Sequence, residues 1–290
     1  MPDVSVDPNQ LTQDDMYAKE MYVQAKHFYQ DVAFPSICPH TSLEAMKTFE
    51  VREDDVFIVT FPKSGATWTT EILSLILNGG DFQAVSRVRI EDRAPYPEFH
   101  LKPKPNYEQA AEMASPRIIP THLPMHILPP QLDEKKPKVI YVARNPKDIV
   151  ASIYYHHSKD IFLETYESWE HCLEEFIGND ICGTWYNHHN SKRVTLNSLL
   201  TTTISPQTNV CPLPPKLSLR GLPIQNLKSQ IRKISSFLGR PLSDELLDKI
   251  SEHCSFKKMK ENPITVRENV CKLWGIDPSE SPFVRNGIVI

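Results

Sequence analysis

An α/β fold, with helices covering both faces of a largely parallel sheet, follows from three features of the sequence. Two short apolar runs rich in β-branched residues, VFIVTF (Val56–Phe61) and KVIYVA (Lys138–Ala143), lack strict polar alternation, the pattern of strands buried on both faces. Each run passes through a short polar loop into a segment with apolar residues at helical spacing. Such strand-loop-helix units in series imply parallel pairing, because a parallel neighbour is reached only through a crossover.

Taken in order, MYAKEMYVQAKHFYQDV, from Met16 to Val32, predicts a helical start, followed by a proline-broken approach to the first buried strand. That strand is Val56–Phe61. After Gly65, ATWTTEILSLILNGG places Trp68, Ile72, Leu75 and Ile76 at helical spacing, and Gly79-Gly80 makes a stop. In the second unit, Lys138–Ala143 is the strand, Asn145 can cap, and Pro146 suits a helix's first turn before KDIVASIYYHH continues. NLKSQIRKISSFLG puts Leu227, Ile231, Ile234 and Leu238 on one face and ends at Gly239, and Ser243 caps DELLDKISEHC. The exception is VTLNSLLTTTISPQTNVCPLPPKLSLRGLPIQ, Val194 to Gln225. It is rich in Ser, Thr and Pro, has no acidic residue and no steady period, which predicts a loop-like or disordered insert.

The chain has 290 residues, 40% apolar and 23% charged, enough for one large α/β domain over residues 1–290 with its core at about 49–287. A formal net charge of −4 argues against a general nucleic-acid binder or a membrane-surface protein. The opening residues MPDVSVDPNQLTQDD have no basic start or apolar stretch of a signal peptide, and no run approaches the ~20 apolar residues of a membrane span. Six cysteines stand singly, without Cys-x-x-Cys pairs, which reads as reduced thiols of a cytoplasmic protein and gives no metal-ligand cluster.

The loop Pro62-Lys63-Ser64-Gly65 joins a strand's end to a helix N-terminus, where free N–H groups and the helix dipole favour an anion. Gly65 allows close backbone approach, Lys63 adds a charge, and Ser64 and Thr67 add hydroxyl donors. The nucleotide-triphosphate pattern Gly-x4-Gly-Lys-Ser/Thr is absent, since the lysine here precedes Ser-Gly. In the second unit Arg144 lies at the strand's end and Ser152 about two turns along the helix, both able to face the crevice above the strands. Arginine suits a phosphate there, although for this residue taken alone a structural ion pair with a carboxylate such as Asp148 is the favoured reading.

Together TFPKSGATW (Thr60–Trp68) and YVARNPKDIVASIYYHH (Tyr141–His157) resemble the two cofactor signatures of cytosolic sulfotransferases. THLP (Thr121–Pro124) resembles that family's catalytic-histidine segment, and SFKKMKENP (Ser255–Pro263) and SPFVRNG (Ser281–Gly287) its later cofactor contacts. The resemblance implies a P-loop-like sulfotransferase fold and the cofactor 3′-phosphoadenosine-5′-phosphosulfate, with adenosine 3′,5′-bisphosphate as product. By the same likeness, Lys63, Ser64, Gly65, Ala66, Thr67 and Trp68 would form the 5′-phosphosulfate loop. Arg144 and Ser152 would hold the 3′-phosphate, Cys254 and Phe256 would contact adenine, and Arg285 and Gly287 would belong to the 3′-phosphate tail motif. His122 would be the general base and Lys63 a catalytic cation. Tyr96 and Phe99, in RAPYPEF, would line the pocket of a small, aromatic or apolar phenol, alcohol or amine.

The chain departs from this pattern in four places. Pro120 stands where the family usually has a lysine beside the transferring group, and Asn286 replaces the lysine of the tail motif. The family's Gly-Asp-Trp-Lys continuation and dimer-forming segment do not follow, so a monomer or a non-standard oligomer is expected. The 194–225 segment occupies the place of a core strand and of an adenine-site tyrosine, and no residue in it takes that role. Two other readings compete: a catalytically impaired nucleotide-binding protein of the same fold, and a P-loop kinase-like enzyme, which the Lys-Ser-Gly order disfavours.

Overall fold

In the computed structural model of the chain, which describes residues 16–17, 20–178, 182–190, 199–203, 227–281 and 283, the two buried runs form the middle of a parallel sheet. Strand β3 (Val56–Thr60) pairs with β4 (Ile118–Thr121) on one side and β5 (Lys138–Ala143) on the other, and β5 pairs with β6 (Leu199–Thr203). All three pairings are parallel, in the order β4-β3-β5-β6. Helix α1 (Ala66–Leu77) follows β3 and α2 (Pro146–His157) follows β5, completing two crossover units. In the second, the Asn145 side chain accepts the Lys147 N–H and Pro146 takes the first turn, as the sequence predicts.

Both faces of the sheet are covered. Phe57, Val59, Val139 and Tyr141 pack into one apolar cluster with Phe34, Leu43 and Met46. The alternate residues Val56, Ile58, Ile140 and Val142 enter a second cluster with Ile72, Leu75 and Ile76 of α1, Ile231 and Ile234 of α4 (Leu227–Phe237) and Leu247 and Ile250 of α5 (Asp244–His253). This two-residue alternation into two dry layers explains why neither run shows polar alternation. A third cluster joins Phe61 to Ile149, Val150 and Ile153 of α2 and to Cys172 and Phe176 of α3 (Trp169–Gly178). The five described cysteines are free and buried; Cys211 lies outside the described residues.

Polar groups also tie elements together. Arg117, just before β4, and Asp55, just before β3, are both fully buried; Nε and Nη2 reach the two carboxylate oxygens at 2.8 and 2.6 Å. Arg117 also donates to the carbonyls of Ala110 and Glu50, so the pair is fully hydrogen-bonded, the condition under which a buried ion pair is tolerated. In α1, buried Glu71 pairs with Arg93 and with His253 of α5.

Three expectations are corrected. The predicted helical start holds only for the described residues among 16–21; the chain then forms an antiparallel hairpin, β1 (Lys26–Tyr29) and β2 (Val32–Pro35). Gln30 and Asp31 both adopt left-handed backbone angles, φ 49° and 61°, the geometry of a tight hairpin turn. The hairpin's Tyr29, Val32 and Phe34 join the first core cluster, so the core begins well before residue 49. Within the segment read as a loop-like insert, Leu199–Thr203 is a strand paired along its length with β5. A buried strand has left one edge unpaired, and backbone pairing there outweighs the weak side-chain pattern. The remainder of 204–225 lies outside the described residues.

Candidate active site

The two crossover loops open into one cavity of about 420 Å³. Lys63, Ser64, Gly65, Ala66, Thr67 and Trp68 line it from the first unit, and Arg144 and Ser152 from the second. The loops are joined directly: Arg144 Nη1 donates to the Lys63 carbonyl at 2.9 Å. Lys63 and Gly65 have left-handed backbones, φ 65° and 114°. The turn is therefore tight enough for α1 to begin immediately above β3, and no side chain caps its first amides. Those amides, the positive helix end and Lys63 together make an anion cradle.

The cradle has polar atoms without partners. Ser64 Oγ and Trp68 Nε1 are buried and have no hydrogen-bond partner among the described residues. Buried donors are nearly always satisfied, so these two mark where a ligand's acceptors belong, and the residues present fit a phosphosulfate nucleotide. Phe256, at the start of α6 (Phe256–Glu261), also lines the cavity. Cys254 does not: it is fully buried in the second core cluster, two residues before the wall it was expected to join. Arg285 and Gly287 lie outside the described residues.

His122 follows the end of β4 and lines the same cavity. Its Nδ1 lies 2.9 Å from the Thr60 carbonyl oxygen and 3.0 Å from Thr60 Oγ1. A carbonyl only accepts, so Nδ1 carries the proton and Nε2 keeps its lone pair. Burial pushes the imidazole down to about 4, the charges of Lys63 and Arg267 acting in the same direction against the Thr60 bond. The ring is therefore neutral and basic at Nε2 near neutral pH.

The main chain of His122 is held on both sides by groups that sequence reasoning missed. Glu98 Oε1 accepts the His122 N–H at 2.7 Å, and His188 Nε2 donates to the His122 carbonyl at 3.3 Å. His188 Nδ1 in turn accepts from the Tyr141 hydroxyl at 2.8 Å. Burial pushes the Glu98 carboxyl up to about 7, against the His122 amide bond. An acid set between two aromatics in RAPYPEF was the available signal for Glu98; His188, in an unremarkable His pair, gave none.

Tyr96 and Phe99 stack at 4.9 Å with an interplanar angle of 14°, and the Tyr96 ring lies 4.9 Å from that of His122. They form an apolar wall beside the base, continued by Phe34, Leu101 and Phe162. The hairpin contributes Lys26, Ala33, Phe34 and Pro35 to this end, and Lys26 is fixed by Glu175 of α3 at 2.6 Å. His156, held well below the usual histidine range by burial, points Nε2 at Asp160 at 3.3 Å; burial raises Asp160 to about 6. A further cation, Arg267, also lines the cavity. Every described candidate site residue, Cys254 excepted, thus lines one cleft.

Comparison with known proteins gives a consistent picture. The family described as "Sulfotransferase domain" matches residues 53–194 and 224–290, and the interruption falls on the segment whose composition is anomalous. Sulfotransferase 1 family member D1 of Mus musculus is 38% identical over 260 residues, covering 88% of this chain and 81% of that protein. Sulfotransferase 1C2 of Oryctolagus cuniculus is 36% identical over 251 residues, covering 84% and 78%. Among solved structures, mouse sulfotransferase SULT7A1 complexed with PAP superposes with a TM-score of 0.64 at 25% identity, covering 82% of this chain and 75% of that one. Retinol dehydratase in complex with androsterone and PAP has the same fold, with a TM-score of 0.67 at 22% identity over 89% and 79% of the chains.

Proposed function

The chain belongs to the sulfotransferase family, and from that premise we propose that it transfers a sulfuryl group from 3′-phosphoadenosine-5′-phosphosulfate to the hydroxyl or amine of a small aromatic or apolar acceptor. The observation that carries the reading is the shared cavity: Lys63 and Arg144, from separate crossover units, face one space with His122. When bound, the cofactor supplies an activated sulfuryl group and a phosphate leaving group. The Lys63 ammonium and the uncapped amides of α1 offset negative charge growing on the leaving side. Arg144 and Ser152 would hold the cofactor's 3′-phosphate, Ser64 Oγ and Trp68 Nε1 would meet its acceptors, and Trp68 and Phe256 would contact its adenine.

On the other side, Nε2 of His122 takes the acceptor's proton as the new bond to oxygen or nitrogen forms. Thr60 holds the proton on Nδ1, so the basic nitrogen is the one left for the acceptor. Tyr96 and Phe99 orient a flat acceptor against that nitrogen. The apolar wall excludes water, which would otherwise compete as acceptor.

One feature favours a binding-only protein: Pro120 brings no side-chain cation to β4 beside His122. Two measurements decide. Adenosine 3′,5′-bisphosphate should raise the melting temperature and ATP should not; the reverse order would remove the sulfotransferase reading. Labelled sulfate should then pass to at least one member of a panel of phenols, alcohols and amines. Stabilisation by the bisphosphate with no transfer across the panel would establish the binding-only alternative.

A further inference from the structure

Arg267 is a cation of the cavity that neither crossover unit supplies. It immediately precedes α7 (Glu268–Trp274) and has a left-handed backbone, φ 53° and ψ 58°, unfavourable for a residue with a Cβ. Its guanidinium lies 4.7 Å from the centroid of the Phe283 ring, on which Lys63 Nζ also rests at 5.8 Å. Among the described residues it makes no ion pair with a carboxylate, and its Nε is buried without a hydrogen-bond partner. A buried donor left unused is costly unless an acceptor completes it.

The neighbours of Arg267 indicate what that acceptor belongs to. Arg267 acts on the Tyr96 hydroxyl through charge and hydrogen bonding, lowering what burial has raised to about 12. The ring of the same tyrosine lies 4.9 Å from His122. Base and cation therefore both neighbour one tyrosine, and the same cavity carries the apolar walls Phe99, Leu101 and Trp274. Lys63 and Arg144 are bridged at the cradle, and Lys63 shares the Phe283 ring with Arg267, so the arginine neighbours both the cradle and the acceptor wall.

We infer that Arg267 binds an anionic group on the acceptor, so that the favoured substrates are phenols carrying a carboxylate. The inference rests on the sulfuryl-transfer reading for the identity of this cavity, and it deepens that reading by naming the acceptor class. The apolar walls take the ring, His122 receives the hydroxyl, and the guanidinium takes the carboxylate through its paired donors.

The test is calorimetric titration of the full chain, saturated with adenosine 3′,5′-bisphosphate, with para-hydroxyphenylacetate and with its neutral amide, para-hydroxyphenylacetamide. The wild-type chain should bind the carboxylate about 10- to 100-fold more tightly than the amide, the range of a charge-assisted hydrogen bond. Arg267→Gln should abolish that preference, and Arg267→Lys should retain part of it. Equal wild-type affinity for the two probes overturns the inference, even if Arg267→Gln does not fold. So does an Arg267→Gln chain that loses the bisphosphate while keeping the preference, which would move the arginine to the cofactor. Failure of sulfuryl transfer would count against the proposed function and leave this ratio of affinities readable.

Discussion

His122 offers the most direct check of the site's physics, because its protonation can be followed without turnover. Burial, with the charges of Lys63 and Arg267, moves its imidazole from the ordinary 6.5 to about 4, which corresponds to roughly 3 kcal/mol against the charged form. At pH 7 about one molecule in a thousand should carry the imidazolium, against about a quarter for an unshifted histidine. In nuclear magnetic resonance of histidine-labelled protein, the ring signal absent from a His122→Gln variant should stay unchanged from pH 8 down to about 5. Adding adenosine 3′,5′-bisphosphate should raise the apparent value, since negative charge nearby favours the cation. The stability linkage has a definite sign: between about 4 and 6.5 the unfolded chain binds more protons at this site than the folded one. Stability should therefore fall as pH drops through that window, and His122→Gln should lessen the fall. A ring signal titrating near 6.5 in the nucleotide-free protein would refute the claim that a dry, cation-flanked pocket keeps the base ready.

Four other outcomes are expected. Lys63→Ala should lower turnover about 100- to 1,000-fold with the thermal transition preserved; near-normal turnover removes the lysine from the mechanism. Arg117→Met, which strands Asp55 as a fully buried charge, should cost about 3–5 kcal/mol in denaturant unfolding, and a loss under about 1 kcal/mol contradicts the structure's account of that pair. Because burial raises Glu98 from 4.5 to about 7, the folded chain holds the extra proton in that window and stability declines as pH rises through it. Glu98→Gln should then be the more stable chain above pH 7, by up to about 3 kcal/mol; identical pH profiles would show the carboxyl to be solvated. Backbone amides of Leu199–Thr203, paired with β5, should exchange slowly with deuterated solvent, and immediate exchange would mean the strand does not persist.

How much of this was legible in the sequence depended on whether local chemistry and tertiary pressure agreed. At β3 and β5 they did: β-branched runs, a glycine at a left-handed position and a proline in a first turn all serve the same two crossover units. At the hairpin they did not, since Gln30-Asp31 lacks the Asn-Gly or Asp-Gly signature of its turn and the preceding residues carry helical spacing. Strand β6 is read from its neighbour rather than from itself: Thr-rich and weakly patterned, it is specified by the open edge of β5. Among site residues, those within the motif loops were found, whereas Glu98 was passed over between Tyr96 and Phe99, and His188 and Arg267 come from separate segments that converge only through the fold. Cys254 shows the opposite error. Likeness assigned it to a ligand, but at the C-terminal end of α5 its side chain packs into the core.

Pro120 matters for more than the cation it fails to bring. It also lies within β4, which among the described residues is paired on one side alone, and a proline is tolerated in a strand where the missing donor points away from its partner. That outer rim therefore has an interrupted row of donors. A strand from another molecule docking there would meet a gap in the hydrogen-bond ladder just beside the mouth of the reaction site. Proline thus leaves one donor fewer for any strand that would pair along this margin.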